Sequence, residues 1–179
     1  MIILIGASAS GKTEVAKLLG SKYGVQKVVT HTTRHKRDGE TDDVDYHFVS
    51  FEQFEELKNR GYFVETTFYN GNFYGTSHKE IGDDKVLIVD PNGLDAFQKL
   101  HNRRIVTFFM DASETTRLNR MLYRGDALNQ AKRRIANDKI DFDPTRINTT
   151  DYFIDTERHN IEQIADIVYK TYSDHLINL

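Results

Sequence analysis

The chain of 179 residues is the size of one domain and long enough to bury a single core. With 24 Lys and Arg against 27 Asp and Glu, its formal net charge is -3, so no general attraction to nucleic acid or an anionic membrane is expected. There is no cysteine, which excludes disulfides, thiolate catalysis and cysteine-ligated zinc and fits a reducing, cytoplasmic setting.

The chain opens on Met1 to Ile5, an apolar run without the basic start or the length of a signal peptide. No run approaches a membrane span, so neither a leader nor a membrane partner is expected. Ile2 to Ile5 reads as a buried parallel strand. Lys12 to Tyr23 carries Val15, Leu18 and Leu19 at helical spacing, and Val25 to Thr30 is strand-like. A polar stretch over residues 31–45 follows, then an alternating run from Tyr46 to Val49 and a helix from Phe51 to Asn59 behind a Ser50 cap. Tyr62 to Phe68 and Asn72 to Gly75 flank Asn70-Gly71, a hairpin signal. Val86 to Val89 predicts a second buried strand, Gly93 to Leu100 a short helix, and Arg104 to Met110 a third core strand. A helix begins near Ser113, residues 124–146 are charged and partly helical, Tyr152 to Ile154 is a last strand, and Ile161 to Leu176 a closing helix.

Strands alternating with helices predict an α/β fold with a parallel sheet flanked by helices. Residues 31–80 break that rhythm and predict an inserted mixed-β subdomain, with a small helical lid at 124–146. The core would then comprise 1–30, 81–123 and 147–179 of a single domain spanning 1–179.

The strongest local signal is Gly6-Ala7-Ser8-Ala9-Ser10-Gly11-Lys12-Thr13, which matches G-x-x-x-x-G-K-[ST] between a buried strand and a helix. Glycines let backbone N–H groups turn inward around phosphate oxygens, and the helix N-terminus favours anions. Lys12 can reach the β- and γ-phosphates, and the Thr13 hydroxyl can ligate Mg²⁺. Ala9 is tolerable in such a loop only if it need not adopt a positive φ. Asp90, at the carboxyl end of a core strand, can serve Mg²⁺ or cap the helix that Pro91 begins. A second cluster, Thr30 to Arg37, combines hydroxyls with Arg34 and Arg37, whose planar forks can hold a phosphate. Most such clusters are solvated basic loops. Tyr46, Glu65, Tyr74 and Thr76 fall in the same insert, and a carboxylate there can accept from guanine N1 and N2.

The segments Thr32-Thr33-Arg34-His35-Lys36-Arg37-Asp38-Gly39-Glu40, Asp45 to Ser50 and Gly71-Asn72-Phe73-Tyr74-Gly75-Thr76 resemble the signature of guanylate kinases. With the phosphate loop, the likeness runs from Ile2 to about Tyr152. The resemblance implies a P-loop fold whose insert binds GMP and an enzyme that moves the ATP γ-phosphoryl group to GMP. It implies that Thr30, Arg34, Arg37, Tyr46 and Tyr74 hold the GMP phosphate, that Glu65 and Thr76 read guanine, and that Arg120, Arg124 and Arg134 close on the ATP phosphates. It also implies Asp90 on the metal side, with ATP and Mg²⁺ required. Ile88 stands where the family usually has an acid, and an apolar side chain there cannot accept a hydrogen bond from a base. Two further readings remain open. One is a related kinase acting on another phosphorylated acceptor; the other is an inactive guanylate-kinase-like binding module, against which the intact Lys12 and Thr13 speak.

Overall fold

A computed structural model describes residues 1–69, 71–145 and 147–179. Asn70 of the expected hairpin turn and the last residue of the expected lid lie outside the described residues.

The first strand, β1 (Ile2–Ile5), is fully buried and hydrogen-bonded on both sides, which is why its four residues are all apolar. It pairs in parallel with β7 (Lys85–Ile88) and β8 (Val106–Asp111). With β2 (Gln26–Lys27) and β9 (Tyr152–Asp155) they form a parallel sheet of order β2-β7-β1-β8-β9. One face packs Leu4, Leu19, Phe108 and Val168; the other packs Ile3, Leu94 and Phe97. The first helix on that sheet, α1 (Lys12–Tyr23), starts behind Gly11 and stops where Gly24 turns left-handed, so its Gly24 N–H closes on Gly20 O. The closing helix α6 (Ile161–Ile177) packs against α1 and begins with a reciprocal cap, Asn160 with Gln163.

The expected strand at 25–30 is shorter in the structure, because the chain changes sheets there. Val28 N–H still donates to Val86 O, but β3 (His31–Thr32) already belongs to a second sheet. That sheet has the order β4-β3-β6-β5, from β4 (His47–Phe48), β5 (Phe63–Tyr69) and β6 (Asn72–Ser77). Its β3–β4 pair is parallel and the other two pairs antiparallel. The insert carries its own aromatic core under helix α2 (Phe51–Asn59), which opens with a Ser50–Gln53 capping box. Phe54 stacks on Phe63 and Phe73 at ring separations of 4.6 and 5.3 Å. Gly75 makes this closure possible, since a Cβ there would sit 2.9 Å from the Phe63 ring. Helix α3 (Pro91–Gln98) follows β7 and packs against β5, tying the insert to the carboxyl edge of the parallel sheet. Helices α4 (Glu114–Tyr123) and α5 (Leu128–Asp141) pack on each other; α5 is the helical part of the expected lid.

Candidate active site

The loop from Gly6 to Thr13 leaves β1 and turns into α1. Gly6 is required by closeness, because a Cβ on it would lie 2.2 Å from Met110 O. Gly11 has φ +99°. Ala9 departs from the sequence expectation: its φ is +61°, so this position does take the left-handed conformation, and the alanine bears that strain. Lys12 lies back over the loop, and its Nζ donates to Gly6 O at 2.6 Å, Ala7 O at 2.8 Å and Ser10 Oγ at 3.3 Å. Burial lowers its pKa to about 8. Thr13 is exposed on the first turn of α1.

Asp90 takes the capping role. Its Oδ1 accepts from Gly93 N–H at 2.7 Å, with Pro91 in the first helical turn. Helix α3, which Asp90 caps, packs against β5, and the Asp90 charge adds to the burial that raises the Glu65 pKa. Ile88, on β7 two residues earlier, packs into the core beside β1. Among the described residues no group of three or more His, Asp or Glu side chains is arranged to hold a metal by itself. Thr13 and Asp90 offer hard oxygen donors, which suit Mg²⁺ arriving with nucleotide phosphates and water.

In the insert, Arg34, Tyr46 and Tyr74 are brought together. The Arg34 guanidinium lies 5.3 Å from the Tyr46 ring centre, and the Tyr46 and Tyr74 rings meet edge-on at 6.2 Å. Arg34 is held by a bidentate pair with Glu40, at 2.7 and 3.1 Å, and by its own donation to His35 O. Glu40 also accepts from Arg37 N–H at 2.8 Å, and these bonds hold its carboxyl below the usual range. The Arg37 side chain is exposed and makes no hydrogen bond among the described residues. Thr30 is half-buried, and its carbonyl accepts from His47 N–H.

Glu65 and Thr76 sit opposite each other on β5 and β6, and Thr76 Oγ1 donates to Glu65 Oε1 at 2.7 Å. Burial raises the Glu65 pKa, partly offset by that bond. His31 points into the aromatic packing of the insert, 4.5 Å from the His47 ring, with its Nδ1 buried and unpartnered among the described residues. Burial lowers its pKa to about 4, so it is a neutral core residue; His35 is exposed.

The three arginines expected to close on ATP do not share one place. Arg120 lies on α4 against the phosphate loop and donates to Ala9 O, Thr156 Oγ1 and Thr156 O. Arg124 and Arg134 are half-exposed and converge on Asp126, at 2.7 and 3.5 Å. Sequence reasoning assigned no role to Glu40, which holds Arg34, or to Asp126, which holds Arg124 and Arg134. An acid three residues after Arg37 in a glycine turn was the available signal for the first. It also missed Arg117 and Asp138, a buried pair at the loop.

The sequence matches the protein-family model for guanylate kinase over residues 1–169. A guanylate kinase of Methylobacillus flagellatus is 30% identical over 178 residues, covering 94% of this chain and 87% of that protein. One from Chromobacterium violaceum is 33% identical over 174 residues, with 91% and 82% covered. The crystal structure of guanylate kinase from Anaplasma phagocytophilum superposes with a TM-score of 0.64 at 29% identity, covering 97% of this chain and 85% of that one. A family-model match along nearly the whole chain, with relatives at 30% identity and above and a solved structure of the same fold, places the chain in the guanylate kinase family, the enzymes that phosphorylate GMP with ATP.

Proposed function

We propose the following division of work for this ATP-dependent phosphorylation of GMP. The core (1–30, 81–123 and 147–179) binds ATP, the insert (31–80) binds GMP, and the lid (124–146) closes over the transfer. Gly6, Ser8, Ala9, Ser10, Gly11, Lys12 and Thr13 form the ATP phosphate site, with backbone N–H groups and the Lys12 cation matched to phosphate charge. Thr30, Arg34, Arg37, Tyr46 and Tyr74 hold the GMP phosphate. Glu65 and Thr76 read guanine: an ionised carboxylate accepts from N1 and N2 together, and the base edges of AMP and CMP offer no such donor pair. Arg120, Arg124 and Arg134 complete the charge at the ATP phosphates. Mg²⁺ would be held through Thr13 with Asp90 near its water shell, where it would neutralise phosphate charge.

The acceptor is a phosphate oxygen already ionised near neutral pH, so no strong general base is needed. Catalysis is alignment and charge neutralisation. Arg34 fixes the acceptor oxygen, Lys12 and the lid arginines spread charge on the moving group, and closure excludes water, which would otherwise hydrolyse ATP.

One observation carries this reading: Glu65 and Thr76 are hydrogen-bonded across β5 and β6, and β5 packs against α3, the helix that Asp90 caps just past β7, the strand next to the one that feeds the phosphate loop. The test is an ADP-release assay across GMP, dGMP, AMP, CMP and UMP on the native chain and Glu65→Gln. The amide offers one acceptor and sets a donor against a donor, so the preference for GMP over AMP should shrink by about tenfold or more. An unaltered preference would remove Glu65 from the base site.

A further inference from the structure

Two charged side chains are buried at the phosphate loop, and neither has a part in the roles above. Arg117 on α4 is 6% exposed and Asp138 on α5 is 7% exposed. They form an ion pair, Arg117 to Asp138 Oδ2 at 2.6 Å. Charges survive such burial only when paired and hydrogen-bonded, and here the rest of the bonding runs to the loop. Asp138 Oδ2 also accepts from Ser8 N–H at 3.0 Å, and Oδ1 accepts from Ser8 Oγ at 3.1 Å. The carboxylate therefore takes both donors of Ser8. Arg117 is anchored separately from α5, donating to Ala112 O at 3.2 Å and to Ser8 O at 3.3 Å.

A carboxylate and a phosphate oxygen make the same demand on a backbone N–H: each is anionic and accepts only. One N–H gives one strong bond, so Asp138 and a nucleotide phosphate exclude each other at Ser8. When Asp138 leaves with α5, Arg117 stays on its two backbone carbonyls with its charge no longer cancelled. An uncompensated guanidinium beside the loop then has a phosphate as its natural partner. Both charges also act on Lys12, Asp138 favouring its cation and Arg117 opposing it, so all three groups share one electrostatic site.

We propose that Asp138 is a built-in phosphate surrogate: it latches helix α5 onto the phosphate loop through Ser8, competes there with the phosphates of ATP, and on leaving hands Arg117 to the nucleotide. This rests on the assignment of residues 6–13 to ATP. The latch makes the ATP site and the lid one two-state element, because opening the latch frees α5, with Arg134, at the moment when the loop fills.

The test is calorimetric titration of ATP, and separately of inorganic triphosphate, into the native chain and Asp138→Asn. That change keeps the size of the side chain and removes its charge. A latch engaged about nine-tenths of the time weakens apparent affinity about tenfold, so D138N should bind both ligands up to about tenfold more tightly, with the KM for GMP unmoved. Loss of a merely structural contact would not tighten binding. Unchanged or weaker binding by a D138N protein that melts like the native chain would overturn the proposal. Should D138N fail to fold, Arg117→Gln compared with R117Q/D138N reads the same difference with the pair already broken. The second member should bind ATP more tightly, and equal affinities would overturn the latch. Lys12→Ala separates the two levels. If it leaves ATP binding intact, the loop assignment itself fails; if it abolishes binding while D138N changes nothing, the latch alone fails.

Discussion

The two anion cradles proposed for this molecule are built from different materials. The phosphate loop is made of backbone: a glycine with no room for a Cβ, an alanine held at φ +61°, and a lysine folded over the loop carbonyls. The cradle of the insert is made of side chains, with Arg34 clamped by Glu40 and faced by Tyr46 and Tyr74. A backbone cradle fits any phosphate chain and is fixed by local sequence. A side-chain cradle can be tuned to one acceptor, but its geometry depends on partners that hold each group in place. In the proposed division the first takes the common phosphoryl donor and the second the selected acceptor.

The largest expected effect lies in the backbone cradle. Lys12→Ala should reduce turnover by about 10³-fold, as for other groups that stabilise charge developing in the transition state. Near-normal steady-state turnover would remove Lys12 from the chemistry. The same lysine gives the cradle a pH signature. Its pKa is lowered to about 8, so the cation is nearly complete about a unit below that pH and is lost as pH rises through it. ATP affinity of the free enzyme should therefore weaken between about pH 7 and 9, where an ordinary lysine would give a flat profile.

The side-chain cradle is sharpened by Glu40→Gln. Losing the bidentate clamp lets Arg34 wander, and the KM for GMP should rise about tenfold, roughly 1.4 kcal/mol, with the KM for ATP unchanged. A lower KM for GMP in steady-state kinetics would mean that Glu40 competes with the phosphate instead of aiming Arg34. The smallest effect concerns strain. Ala9→Gly relieves a left-handed alanine but adds freedom to the unfolded chain, so a net gain of about 0.5–1 kcal/mol is expected in denaturant unfolding. A loss of stability would show that the alanine side chain packs well enough to outweigh its backbone.

The same contrast decided what could be read from sequence. Gly6 to Thr13 declared itself because loop chemistry is local: each residue type answers to the backbone position it occupies. The alternation of strand and helix gave the parallel sheet, since burial on both sides forces runs such as Ile2 to Ile5. The mixed sheet of the insert was visible only as a break in that rhythm; its parallel β3–β4 pair joins residues sixteen positions apart and leaves no local mark. Asp90 shows how a residue type admits two roles until geometry chooses, its Oδ1 being committed to Gly93 N–H. Arg117 and Asp138 were illegible for a different reason. They lie 21 residues apart on two highly charged helices, where every pattern points to solvent, and only the packing of α4 against α5 buries them. Whether Ala9 is strained could not be read, because a sequence gives no φ angle.

In the proposed mechanism the donor and acceptor phosphates are held by separate groups. The most direct measurement titrates GMP and ATP separately into Arg34→Ala by calorimetry. Loss of a charged, hydrogen-bonded contact of about 2–3 kcal/mol should weaken GMP binding about 30- to 150-fold and leave ATP binding within about twofold of the native value. A comparable fall in both affinities would contradict the division into two cradles.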